Sequence, residues 1–242
     1  MVVVAHFHFI AHGLYAVFVP ATVLFMGKSA RAANEAKNRE RQGRLLSTLT
    51  GMIAKLGGTR CECVEAAALF VATAERLGIP VQARVVSILA IDTQEHRVAM
   101  TGIAAGAEAE RRLGATVLGA PPDVSVNSFE RAGHMILTSS ALSVIFDPTF
   151  QQFSKDRLPA VPISGPVSDV RPASGELVIE FDQGRFEVTY FFDDDNVGTQ
   201  EEFEWAKAQW SEVATQLAFQ LRSGATAATL SFEVPWEDQP AR

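Results

Sequence analysis

Apolar residues at Leu45, Leu46, Leu49, Met52, Ile53 and Leu56 recur three to four positions apart, the spacing of one face of an α-helix. The pattern predicts a helix over residues 29–56, closed by Gly57-Gly58. Residues 63–77 are apolar almost all round, which predicts a buried central helix, and Gly78-Ile79-Pro80 stops it. Val81 to Ile91 reads as a strand on Val85, Val86, Ile88 and Leu89, with residues 96–102 as its hairpin partner. Residues 104–113 read as a helix and 119–127, with Pro121-Pro122, as a loop. Two strands follow at 133–138 and 142–147, then a short helical turn at 151–154. Pro, Ser and Gly punctuate 156–174, which reads as a loop or linker. Residues 176–181 and 185–192 form a hairpin around Asp182-Gln183-Gly184. Glu201 to Arg222 carries Phe203, Trp205, Trp210, Val213, Leu217 and Leu221 on one long amphipathic helix, and Ala228 to Val234 reads as a last strand. Helices and antiparallel strands fall in separate runs, so the fold class is α+β.

The first 26 residues break the pattern. They hold no Asp, Glu, Lys or Arg and match the ~20 apolar residues that a bilayer span requires. His6, His8, His12 and Pro20 interrupt the run, and Lys28 and Arg31 follow rather than precede it, which argues against a secretory signal. A buried N-terminal element, or a true start at Met26, competes with a membrane anchor and is favoured over it. The division by sequence is therefore residues 1–26, an apolar segment; 27–155, a core; 156–174, a loop or linker; and 175–242, a hairpin, helix and strand packed on that core.

Composition narrows the function. With 242 residues, 48% hydrophobic and 20% charged, the chain buries a full core. A formal net charge of −7 argues against nucleic acid as a partner, since phosphate binding needs a positive surface. The basic cluster from Lys28 to Arg44 is diluted by Glu35 and Glu40 and reads first as a solvated helix face. The two cysteines, Cys61 and Cys63, stand too close in sequence for an ordinary disulfide. A reducing, cytoplasmic setting fits them. No second Cys or His pair at finger-like spacing follows, so no metal is expected, and no organic cofactor. Asp193-Asp194-Asp195-Asn196 reads as a solvated acidic turn rather than a calcium loop. The tryptophans of the last helix read as packing.

The candidate chemistry lies in three segments. Cys63 opens the central helix, where unpaired N–H groups and the positive dipole end favour a thiolate and can hold an oxyanion. Its competing reading is a small buried hydrophobe. His134 and Asp147 stand on consecutive strands, and a tight turn through Ser140-Ala141 places them directly opposite one another. Cross-strand partners share a face ~4.5–5.5 Å apart, close enough for a carboxylate to orient an imidazole. Separately, each has a simpler reading: His134 as a satisfied sheet histidine, Asp147 as the start of an Asp-Pro turn. Together they supply a nucleophile, a base and an orienting group.

The run from Cys63 through the Ala-rich helix to Gly78-Ile79-Pro80, then Ala83-Arg84-Val85, resembles the nucleophile helix and following strand of the transglutaminase-like superfamily. Gly133-His134-Met135 and Phe146-Asp147-Pro148-Thr149 resemble its His and Asp strands. The likeness covers about residues 57–153 and selects Cys63 over Cys61 as the matching nucleophile. It implies a papain-like α+β core in which the cysteine helix packs on an antiparallel sheet carrying His and Asp. It also implies a cysteine-dependent amide-processing enzyme, a peptidase or amidase, that acts on a peptide or protein amide through an acyl-enzyme. A transglutaminase-type acyltransferase, or a non-catalytic peptide-binding domain of the same fold, is the alternative. His134-Met135-Ile136 departs from the family's His-Ala-Trp, and no upstream Gln or Trp is an evident oxyanion donor. The Cys63 backbone N–H, Gln151 and Gln152 are the candidates for that role.

Overall fold

The computed structural model describes residues 21–57, 62–95, 97–113, 133–156, 158–170, 172, 174–193 and 197–230. The chain divides after Arg41 into two compact units. In the first, residues 21–41 are helical, and the side chains of residues 30–41 are exposed. A solvent-facing pair, Arg31 to Glu35 at 3.0 Å, spans one helical turn there. Such a pair contributes only about 0.3–0.5 kcal/mol. Helix α1 runs Ala21–Gly57, starting eight residues before the predicted position.

The second unit, Gln42–Arg242, is built on one antiparallel sheet. Its strands are β1 (Gln82–Asp92), β2 (Arg97–Thr101), β3 (His134–Ser139), β4 (Val144–Asp147), β5 (Ile163–Pro166), β6 (Glu176–Phe181) and β7 (Phe186–Phe192). The order is β5-β4-β3-β1-β7-β6, with β2 also on β1. The long β1 pairs β3 along its first half, from Gln82 to Val86, and β2 along its second, from Ile88 to Asp92. Among the described residues the helices are the end of α1, α2 (Cys63–Leu77), α3 (Ile103–Leu113), α4 (Val197–Gln209) and α5 (Ser211–Arg222), with a 3-10 turn at Phe150–Asp156. The fold class is α+β.

Alternation along the strands divides the core. Val85, Met135, Leu137 and Phe146 point to one face and pack with Leu46, Leu49, Met52 and Ile53 of α1, with α2, and with α4 and α5. Val86, Ile136, Ile145, Val188 and Tyr190 point to the other, under Phe150, Phe153 and Leu158. Helix α2 is buried from Ala66 to Ala74, as its all-round apolar sequence requires. It stops where predicted. Gly78 is left-handed (φ 72), the Gly78 N–H donates to the Glu75 carbonyl, and the Ile79 N–H donates to the Ala74 carbonyl. This is the bonding of a Schellman motif.

The structure departs from the sequence reading in four further places. The β3–β4 register sets Leu137 opposite Phe146, two residues away from the pairing expected for a Ser140-Ala141 turn. The connection is Ser140 to Ser143, with Ser143 in the left-handed region (φ 52). The stretch 156–174 contains β5, an edge strand on β4 ending at Pro166, a residue that an edge tolerates. The helix predicted over 201–222 is two, broken at Trp210, whose ψ of 6° leaves the helical range while its indole is buried in the core. The apolar period continues across so short a break, which is why it reads as a single helix. Ala228 and Thr229 belong to a turn rather than a strand, and residues 231–234 lie outside the described residues. No helix of the described residues is long and apolar enough to cross a membrane. The segment 1–20, the loop at 119–127, His96 and Cys61 also lie outside them.

Candidate active site

His134 is the first residue of β3 and pairs with Val86. Asp147 is the last residue of β4, where Pro148 ends the ladder. With Leu137 opposite Phe146, the two residues stand diagonally rather than directly across. A two-residue shift keeps both on the same face, and the side chains span the diagonal. His134 Nε2 and Asp147 Oδ2 are 2.8 Å apart, and both side chains are buried.

Asp147 is held on all sides. Its Oδ2 also accepts from the Tyr190 hydroxyl at 3.1 Å. Its Oδ1 accepts from the Thr149 backbone N–H at 3.1 Å and the Thr149 hydroxyl at 3.3 Å. A carboxylate removed from water is tolerated only with such partners. Tyr190 comes from β7, two strands away from β3 in the sheet order. The ring of Phe153 meets the imidazole edge-on at 5.7 Å, and Phe150 stands behind Phe153.

These contacts set the charge of the ring. Burial, the largest influence, works against the imidazolium. The Asp147 charge and hydrogen bond, joined by the Cys63 thiol, outweigh it, and the His134 pKa is raised from 6.5 to about 10. Burial and the neighbouring carboxylate push the Tyr190 hydroxyl well above its ordinary value, so it remains a donor to Asp147.

Cys63 is half-buried at the first position of α2. Glu62, preceding it, is extended and makes no side-chain cap. The Ala66 N–H donates back to the Glu62 carbonyl at 3.0 Å, so the amides of the first turn lie ahead of the helical ladder, at the thiol's end. Cys63 Sγ donates to the carbonyl of Gly133 at 3.9 Å, the residue just before His134, and the thiol also enters the electrostatics of the His134 ring directly. The predicted nucleophile, base and orienting residue therefore converge.

The two glutamine candidates diverge. Gln151 Nε2 donates to the Ala54 carbonyl at 2.7 Å. The Gln152 amide lies 2.9 Å from His134 Nδ1, on the ring rather than free at the thiol. Tyr190 and Phe153 are the site residues that the sequence reading missed. The one signal for Tyr190 was parity: it shares a face with Val188, in a strand whose inward face is apolar, and a buried tyrosine hydroxyl needs a partner. Among the described residues no group of three or more His, Cys, Asp and Glu side chains is arranged to hold a metal ion, and His6, His8 and His12 are outside them. No family model, curated protein or solved structure matches this chain.

Proposed function

We propose that this chain is a cysteine-dependent amide-processing enzyme, a peptidase or amidase, with Cys63 as nucleophile, His134 as base and Asp147 as orienting residue. The observation that carries the reading is His134 itself. One ring nitrogen is engaged by a buried carboxylate at 2.8 Å, and a thiol at a helix N-terminus adjoins the ring. A cysteine helix beside an antiparallel sheet that carries His and Asp supports the transglutaminase-like, papain-like reading of this α+β fold.

The chemistry follows from these positions. The proton shared between thiol and ring rests on His134, whose pKa is raised to about 10, and the Cys63 sulfur attacks an amide carbonyl carbon. The first-turn amides of α2, that of Cys63 among them, meet the developing oxyanion. His134 returns the proton to the departing amine as the C–N bond breaks, leaving a thioester on Cys63. Water then adds to the thioester and releases the acid and the free thiol. Asp147 keeps a proton on Nε2 and stabilises the imidazolium throughout. A reducing, cytoplasmic setting suits a free thiol nucleophile.

The test is alkylation by iodoacetamide at pH 6.5. Cys63, with the His134 ring beside it, should react far faster than Cys61 at this pH. His134→Ala should abolish the difference. If both cysteines react alike, and only near the free-thiol range, the fold serves peptide binding without catalysis.

A further inference from the structure

Both halves of the proposed dyad are hydrogen-bonded to a third group. The thiol donates to the Gly133 carbonyl. Nε2 of His134 is taken by Asp147, so Nδ1 is the nitrogen left for a thiol, and the Gln152 amide lies 2.9 Å from it. An imidazole nitrogen has one in-plane position for a partner. In the neutral ring the amide N–H donates to bare Nδ1. In the charged ring the reversed amide accepts from Nδ1–H through its oxygen. In either state Gln152 uses the position that Cys63 needs.

Its placement makes the contact specific. The 3-10 turn starts with the Gln152 N–H on the Thr149 carbonyl at 2.9 Å, two residues from Asp147. Gln151 ties the same turn to Ala54 of α1. The turn is thus anchored on both sides, while Gln152 is only half-buried.

We infer that Gln152 is a resting latch: a positioning residue that caps His134 Nδ1 and must swing away before Cys63 can exchange its proton with the ring. The inference rests on the thiol–imidazole reading above. The latch assigns Gln152 a role opposite to that of an oxyanion donor, since removing it frees the base instead of weakening the transition state.

The test compares the full chain with Gln152→Ala and with Gln152→Met, which keeps the side-chain volume, each alone and combined with His134→Ala. The readout is the rate of iodoacetamide alkylation at Cys63 at pH 7, with melting temperature as the check on folding. Loss of one competing neutral hydrogen bond should speed alkylation about fivefold in both variants, and the gain should vanish without His134. An unchanged or slower rate in natively melting variants overturns the latch, as does a gain that survives His134→Ala. In the first case, if His134→Ala still slows the parent chain, the thiol reading stands. Should His134→Ala change nothing in any background, that reading falls and the latch falls with it.

Discussion

Asp147 shows why a single side chain can require so much of its surroundings. It is fully buried and accepts from His134, Tyr190 and both donors of Thr149. Thr149 is legible as part of Asp-Pro-Thr, because a turn two residues long keeps its donors local. Tyr190 is not, because no spacing rule connects a strand residue to a carboxylate 43 positions earlier; only the completed sheet does. The consequence for pH is direct. The folded-state pKa of His134, about 10, lies above the ordinary 6.5, because the Asp147 charge and hydrogen bond and the Cys63 thiol outweigh the opposing effect of burial. A raised value means that the folded state holds the proton more tightly, so the ring's contribution to stability is complete below about 6.5 and is lost as pH rises through about 10. We expect the parent chain to exceed His134→Gln in unfolding free energy most at pH 6, and the margin to shrink steadily toward pH 10. Urea unfolding at pH 6, 8 and 10 measures it, and a margin that stays constant over that range would mean the folded ring carries no extra proton.

At the scale of elements, two left-handed glycines make a controlled comparison. Gly78 ends α2 with φ 72, and a Cβ built there meets nothing within 4 Å. Gly78→Ala should therefore cost only the conformational penalty of a left-handed non-glycine residue, about 1–2 kcal/mol. Gly102, between β2 and α3, has φ 86, and its Cβ would lie 2.1 Å from Ser87 Oγ, 2.7 Å from Ser87 Cβ and 3.0 Å from Ser87 Cα. Gly102→Ala should add an overpacking cost of about 1–3 kcal/mol to the same penalty. Chemical denaturation of the two variants ranks them, and equal losses would refute the argument. The two glycines also differ in legibility. Gly78 is announced by the end of an apolar helical run and by Ile79-Pro80, so the bounds of α2 follow from local pattern. The close approach of Gly102 to β1 is a tertiary fact. The same contrast explains β5 and the β3–β4 register. An edge strand as short as Ile163–Pro166 buries only Ile163 and has no alternation to read. The register depends on a left-handed Ser143 that turn propensities do not favour. The shift was harmless to the site because an even displacement preserves the face of every side chain.

The unit from Gln42 onward is held together by β1, which carries β3 and β2 on one side and β7 on the other. Cys63, His134, Asp147 and Tyr190 meet only when that sheet is complete, so the integrity of the site is that of the sheet. The end of β1 away from His134 is tied by a second buried carboxylate. Asp92 accepts the Arg185 guanidinium at 2.9 Å on Oδ2 and 3.3 Å on Oδ1, along with the N–H groups of Gln94 and Glu95. It thereby joins the β1–β2 turn to the β6–β7 hairpin, where the Thr93 N–H also donates to the Arg185 carbonyl at 2.8 Å. The Arg185 hydrogen bond, the largest influence, holds the Asp92 pKa down from 3.8 to about 2, against the effect of desolvation and with help from the backbone donors. The sign is opposite to that of His134: a depressed carboxyl stabilises the fold above about 3.8 and ceases to do so as pH falls through about 2. Asp92→Asn isolates this charge, since an asparagine oxygen still caps the Gln94 and Glu95 amides but cannot form the two-pronged ion pair. The parent chain should therefore outlast Asp92→Asn by a full margin at pH 6 and by progressively less as pH approaches 2. His134→Gln should show the opposite limb, a margin below the parent that is full at pH 6 and fades toward pH 10. Thermal unfolding of the two variants and the parent between pH 2.5 and 10 reads both limbs in one series. Parallel profiles for parent and Asp92→Asn at every pH would show that the Arg185 pair does not couple the turns through charge.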